Sequence, residues 1–299
     1  MTSSRWQLGL AFSLLTTMLW GSLPVALKSV LGAMSPLTAT WYRYVIATVI
    51  LTVILRVRRS FPPAAQLRPL FWILAGGLVS FAGNNVLFAA GLQAVGPSAA
   101  EVVIQLAPLL LILAGVLLFH ERFSPSQWLG VVILLGGMAL FFHRNLAAAL
   151  LSPGVLLIVV SSVLWTTYAM AQKRLLASLP TVAILWLAYG GGALLLLPAA
   201  APLQVRALDS AGVAFLIYCG LNSLVAYGSF AEAMAHWEVS RVSAVLATTP
   251  LFTPVFAELA ATLWPSRFAH EGLDWLQLAG GVLVAVGSIM AALSKNDKK

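Results

Sequence analysis

The side chains here that could do chemistry are few, and most are embedded in apolar sequence. They are Trp20 and Ser22, Asn84 and Asn85, Gln105, the run Trp165-Thr166-Thr167-Tyr168 with Gln172, Asn222, Ser223 and Tyr227, and Ser243, Thr248 and Thr249. In hydrocarbon such groups must find partners within the protein, because lipid offers none. Their chemistry is recognition: hydroxyls and amides replace water around a polar solute, and aromatic rings hold an apolar body. Catalytic patterns are missing. His120-Glu121 has Ser124 where a zinc-protease helix needs its second His. Gly190-Gly191-Gly192 lacks the Lys and Ser/Thr of a phosphate loop, and close helix packing explains it. No Ser/His/acid set shares one depth. The single cysteine, Cys219, forms neither a disulfide nor a thiolate metal site within one chain. The sequence predicts no enzyme, no metal and no cofactor.

The elements that must position these groups are ten apolar stretches of roughly membrane-crossing length, near 6–27, 37–55, 69–92, 98–119, 126–142, 154–172, 181–200, 210–231, 239–263 and 273–293. A crossing needs about 20 apolar residues. The chain is 61% apolar and 9% charged, with a mean hydropathy of +0.95; ordinary soluble domains carry about 25% charged residues. Long continuous runs exclude a β-barrel, whose strands alternate. The first stretch contains Pro24 and is too long for a cleaved signal peptide. The expected class is an all-α polytopic membrane protein with ten transmembrane helices.

The second half repeats the first. Leu19-Trp20-Gly21-Ser22, with Lys28 beyond, returns as Leu164-Trp165-Thr166-Thr167, with Lys173 beyond, at an offset of 145. Gln105-Leu106-Ala107-Pro108-Leu109 returns as Ala247-Thr248-Thr249-Pro250-Leu251 at 142, and Phe88 as Phe230 at the same spacing. At 150, Gln127, Gly130 and Gly137 align with Gln277, Gly280 and Gly287, and His120-Glu121 with His270-Glu271. This divides the chain into five-helix repeats at 1–147 and 148–299. An odd number of crossings per repeat inverts one against the other, which builds a site able to open to either side.

A net charge of +8 invites a nucleic-acid partner, but its placement argues otherwise. With the N-terminus inside, Arg5, Arg56, Arg58, Arg59, Arg68, Arg122, Lys173, Arg174, Arg241, Lys295, Lys298 and Lys299 lie on the cytoplasmic side. Only Lys28, Arg144, Arg206 and Arg267 lie outside. The positive-inside rule then places both termini in the cytoplasm, and the cell inner membrane is the expected location. The partners expected are the bilayer and a small-molecule substrate, not nucleic acid; the oligomeric state stays open, a monomer included.

Within this frame Trp20 and Trp165 fall near mid-membrane, where an interfacial anchor is out of place; Trp6, Trp128 and Trp275 suit that belt. The pair either lines a cavity as two aromatic walls or packs between helices. Pro108 and Pro250 each delete one backbone hydrogen bond and free the carbonyls of Ile104 and Leu246, while Pro24 and Pro254 add further breaks. These are kinks or gates. Arg43 is costly at depth; it either pairs with Glu101, at a similar depth, or snorkels to headgroups. The second, fifth and tenth crossings, poorer in polar groups near their middles, are expected to form an outer scaffold.

The Leu19-Trp20-Gly21 motif, Arg43 after Pro36, the block from Ala89-Ala90-Gly91-Leu92 to Pro108, and Glu121 followed by Gln127, Gly130 and Gly137 resemble the first repeat of a ten-helix transporter. The family is the drug/metabolite transporter superfamily, of the paired EamA-domain kind, and within it the bacterial amino-acid exporters, including those moving aromatic amino acids. The second repeat departs from the pattern at Leu187, where Arg43 would align, and in an extra segment, Trp264 to His270. The resemblance implies a secondary transporter exporting small organic solutes, above all amino acids with apolar or aromatic side chains, by alternating access through a central cavity. Its alternatives are a broader drug, metabolite or nucleotide-sugar carrier, or a passive channel. The expected substrate-binding residues are Trp20, Ser22, Asn84, Asn85, Gln105, Trp165, Tyr168, Tyr227 and Ser243; Pro24, Arg43, Glu101, Pro108 and Pro250 are expected to serve gating or structure. Proton coupling and gradient-driven exchange both remain open.

Overall fold

The computed structural model describes residues 3–110, 124–144, 146–237 and 239–292, and among them every regular element is helical. Among the described residues, seven helices are long and apolar enough to cross a bilayer: Trp6–Val30, Pro36–Arg58, Ala64–Val95, Pro153–Leu175, Thr181–Ala199, Ser210–Met234 and Val242–Leu263. Shorter apolar helices at Pro97–Leu110, Pro125–Phe141 and Trp275–Ala291 occupy the places of the fourth, fifth and tenth expected crossings. This is a polytopic α-helical membrane protein. His120-Glu121 and the end of the fourth crossing lie outside the described residues.

The elements are α1 (Ser3–Val30), α2 (Pro36–Arg58), α3 (Ala64–Leu67), α4 (Phe71–Val95), α5 (Pro97–Ile104), α6 (Pro125–Phe141), α7 (Leu146–Leu151), α8 (Pro153–Leu175), α9 (Thr181–Leu196), α10 (Ser210–His236), α11 (Val239–Leu246), α12 (Thr249–Leu263) and α13 (Trp275–Ala292). Their starts follow local chemistry. Proline opens α2, α5, α6 and α8, where its missing N–H has no intrahelical partner to lose. Ser35 caps α2, Asp209 caps α10, and Ser124 with Gln127 forms a reciprocal capping box at α6. Between α4 and α5 the chain turns at Gly96, whose φ of 88° favours a residue without a side chain. Aliphatic side chains such as Val49, Val53, Val132 and Leu194 point outward, and Trp6, Trp128 and Trp275 are exposed. That pattern is inside-out for water and natural for lipid.

Helices from the two halves pack against one another, α1 on α10, α4 on α8, α2 on α9 and α6 on α13. Each pair runs antiparallel. Along α6 and α13, Gly130 meets Gly287 and Gly137 meets Gly280: a methyl on Gly287 would sit 2.3 Å from Leu134 N, and one on Gly280 2.6 Å from Phe141 N. Only glycine permits backbones this close. On α4 and α8, Gly91 faces Gly154 and Gly77 faces Ala171; on α2 and α9, the Tyr44 ring fills the space over Gly192.

Both proline breaks occur as the sequence predicts. The helix of α5 is interrupted at Gln105, three residues before Pro108; α11 and α12 part at Ala247-Thr248, two to three residues before Pro250. The expected continuous ninth crossing is therefore two helices. The Leu246 carbonyl freed there accepts the Thr249 hydroxyl at 2.5 Å. The expected scaffold role holds for α6 and α13, which pack chiefly on each other. It fails for α2, which drives Arg43 and Tyr44 into the interior, because one polar residue can turn a whole face inward when lipid cannot solvate it.

Candidate functional site

Arg43 is the hub of a polar chain that crosses the bundle. At 2% exposure it is buried on α2, and its Nε and Nη2 donate to Ser223 Oγ on α10 at 3.0 and 2.8 Å. Nη2 also donates to Asn85 Oδ1 on α4 at 3.3 Å. Asn85 Nδ2 donates to Asn84 Oδ1 at 3.2 Å, and Asn84 Nδ2 continues to Ser161 Oγ on α8 at 2.8 Å. Four helices, two from each half, are thus linked through one buried run of hydrogen bonds. The expected Arg43–Glu101 pair is not formed. Glu101 is buried on α5, and no ion pair engages either residue among those described. Nor does Arg43 snorkel to headgroups, the other expectation: the amide of Asn85 and the hydroxyl of Ser223 hold it inside the bundle.

Aromatic rings enclose this chain. Tyr227 lies edge-on to Trp20 at 5.4 Å and to Phe81 at 5.5 Å, and Phe81 stacks on Tyr44 at 5.2 Å and leans on Tyr168 at 4.6 Å. The Tyr227 side chain neighbours those of Asn85 and Trp165, so it touches both tryptophans. The Tyr44 and Tyr189 hydroxyls donate to the carbonyls of Phe81 and Ser223. The Tyr168 hydroxyl, although buried, has no hydrogen-bond partner among the described residues, and neither has Asn222 Oδ1. Unmet buried polar atoms of this kind are where a ligand or water binds.

Of the expected binding residues, Trp20, Asn84, Asn85, Trp165, Tyr168 and Tyr227 meet in this region. Ser22 belongs to a neighbouring knot: its hydroxyl contacts Tyr218 Oη at 2.5 Å, and Asn222 Nδ2 donates to Leu19 O at 2.7 Å. This supports the backbone next to Pro24, as does Thr253, which donates to Gly21 O at 3.0 Å. Gln105 and Pro108 lie at the α5 break, where Thr166 donates to Ala107 O at 3.3 Å. Ser243 and Pro250 lie by the α11–α12 break, where Thr17 donates to Val245 O at 3.4 Å. Thr167 points outward and bonds only its own helix. Sequence reasoning missed Tyr44, Phe81, Ser161 and Tyr189. Ser161 had a signal: at offset 145 it aligns with Thr16, and both are buried hydroxyls.

One end of the bundle is tied by charge. Arg267, from the extra segment, bonds Asp209 and also Ser29 Oγ at 3.2 Å, joining that segment to α10 and α1. Glu271 accepts the Ser98 hydroxyl and N–H at the start of α5, and Arg144 pairs with Asp274 at 2.8 Å. The Gly212 N–H and the Arg267 guanidinium hold the Asp209 carboxyl below its usual range. Arg56, Arg58, Arg59 and Arg68 gather about the other end, where Gln66 of α3 donates to Ser178 O beyond α8. Between α2, α4 and α9 lies a cavity of about 600 Å³, lined almost wholly by apolar groups and reaching Tyr168.

Known proteins give this arrangement its context. The model of the EamA-like transporter family matches twice, at residues 7–143 and 152–293. An uncharacterized transporter of Haemophilus influenzae is 38% identical over 290 residues, covering 96% of this chain and 95% of that protein. The uncharacterized inner membrane transporter YhbE of Escherichia coli is 36% identical over 293 residues, covering 96% and 91%. A protein of known crystal structure, 19% identical, superposes with a TM-score of 0.65 over 97% of this chain and 98% of its own, a likeness of fold alone.

Proposed function

This chain belongs to the EamA-like transporter family, and on that premise we propose that it carries small organic solutes, foremost amino acids with apolar or aromatic side chains, by alternating access between two inverted five-helix repeats. It is a membrane transporter, not an enzyme. The observation that carries the substrate class is the Ser223–Arg43–Asn85–Asn84–Ser161 chain set among Trp20, Phe81, Tyr168 and Tyr227. Polar groups there serve a solute's head, and the rings serve its body.

Inversion is supported by packing that repeats under exchange of halves. The first and eighth expected crossings pair as α1 with α10; their counterparts, the sixth and third, pair as α8 with α4. Even single bonds are exchanged: Ser161 donates to Asn84 O at 3.0 Å, and Thr16, 145 residues before Ser161, donates to the carbonyl of Ala226, 142 residues after Asn84, at 3.5 Å. Helix α4 serves as a ruler. Lys28 Nζ bonds the Gln93 carbonyl near one end, while Ala171, beside Lys173, touches Gly77 near the other, about 24 Å away at 1.5 Å per residue. Motifs repeated in sequence thus lie toward opposite ends of the bundle. A substrate released between such halves exits on whichever side opens.

Reconstitution in proteoliposomes tests the proposal. Saturable uptake of labelled phenylalanine, accelerated by unlabelled phenylalanine inside, is expected. Conductance without saturation or counterflow would mark a pore instead.

A further inference from the structure

Arg43 is a buried cation without an anion among the described residues. It lies inside a membrane-crossing helix, and its hydrogen bonds go only to the neutral Ser223 and Asn85. Its Nη1, with two N–H groups, has no hydrogen-bond partner among the described residues. A structural arginine at such depth would be matched by a carboxylate, since an uncompensated buried charge strongly opposes folding. The chain contains a candidate at similar expected depth, Glu101, and does not use it. The equivalent position in the other half is Leu187, so the fold itself does not require a cation there. What remains unmatched is the guanidinium charge and its Nη1 edge, a group suited to a carboxylate; the Tyr168 hydroxyl, also unpartnered, belongs to the aromatic cluster around Tyr227, whose side chain neighbours Asn85.

We propose that the carboxylate of the carried solute supplies the missing charge, anchored by Arg43, with its apolar body against Phe81, Tyr168 and Tyr227. The inference rests on the carrier function and narrows it. Solutes must bear a carboxylate; a free amine is dispensable, and an amine alone is rejected. The pair Ser223 and Asn85 holds the guanidinium while the site is empty and yields to the incoming carboxylate.

The test compares three probes with one aromatic body. In phenylalanine counterflow, 3-phenylpropionate, which has the carboxylate alone, should compete, and phenethylamine, which has the amine alone, should not. Arg43→Gln should lower phenylalanine uptake at least tenfold while phenylalaninamide uptake rises above that of the wild type, a gain that mere damage to the fold cannot produce. Competition by phenethylamine equal to that by 3-phenylpropionate overturns the proposal, as does unchanged phenylalanine uptake by Arg43→Gln. Should that variant fail to fold, the wild-type competition decides alone. Should the wild type show no counterflow, quenching of tryptophan fluorescence in detergent separates the two ideas. Binding of 3-phenylpropionate but not phenethylamine keeps the carboxylate anchor and removes the carrier function; no binding of 3-phenylpropionate removes both.

Discussion

Asn84 and Ser161, 77 residues apart in sequence, are locked together by exchanged hydrogen bonds. The Asn84 amide donates to the Ser161 carbonyl at 3.0 Å and to its hydroxyl at 2.8 Å, and that hydroxyl donates to the Asn84 carbonyl at 3.0 Å. This joins α4 to α8 at the depth where the polar chain begins. Asn84→Leu and Ser161→Ala should each destabilise the protein, and a double-mutant cycle should give a coupling of about 0.5–2 kcal/mol, the range for interhelical bonds in membranes. Denaturant unfolding in detergent measures it, and additive effects would sever the link.

The α6–α13 contact should be intolerant of bulk at one set of glycines and indifferent at another. Gly287→Ala and Gly137→Ala place a methyl within 2.3 and 2.7 Å of backbone nitrogen and should cost about 1–3 kcal/mol through overpacking. Gly136→Ala and Gly281→Ala meet open space on the same helices and should leave the melting temperature within a degree or two of the wild type.

Acid should loosen the tied end of the bundle. Asp209 is held below the ordinary carboxylate pKa of about 3.9 by the Gly212 N–H and by Arg267, so its contribution is complete above that value. It is lost as pH falls through the lower folded-state pKa. Asp274, held low by the Gln277 N–H and by Arg144, follows the same sign. The melting temperature should be flat above about pH 5 and drop below pH 4. In Asp209→Asn with Asp274→Asn the acid-side drop should flatten; an unchanged acid slope would remove these carboxyls from the account.

Tyr227 stands between Trp20 and Phe81, so shortening it should weaken substrate binding more than folding. An aromatic pair contributes about 0.5–1.5 kcal/mol, and Tyr227→Leu should raise the half-saturation for phenylalanine roughly two- to twelvefold. Tyr227→Phe, which keeps the ring, should stay near the wild type. Equal losses in both variants would shift the role from ring to hydroxyl.

Topology is open to direct labelling. A cysteine at Lys28 should react with an impermeant maleimide in intact cells, and one at Lys173 only after permeabilisation, in a Cys219→Ala background. Reaction of both from one side would undo the inverted arrangement.

Seven of the expected crossings, the proline breaks and the repeated glycines were legible before any coordinates. Hydrophobic run length reports burial in lipid directly, a missing N–H at Pro108 or Pro250 is a property of one residue, and Gly130 with Gly137 repeats as Gly280 with Gly287 at a constant spacing. The polar cluster was legible in part, because Asn84, Asn85, Trp165, Tyr168 and Tyr227 are conspicuous in aliphatic surroundings. The partner of Arg43 was not. Depth along a helix pointed to Glu101, but depth says nothing of azimuth, and the guanidinium faces Ser223 and Asn85 instead.

The amino-acid sequence by itself determined that this is a helical membrane protein, roughly where most of its apolar helices lie, and that the second half echoes the first, because solvation by hydrocarbon acts residue by residue along the chain. Only the tertiary structure decided which polar groups meet. Rotation and antiparallel docking of α2, α4, α8 and α10 set those meetings, through close contacts between residues as many as 180 positions apart. The bare charge of Arg43 belongs to that second kind of knowledge: a lone cation is visible in a sequence, but that no anion meets it among the described residues is visible only in space.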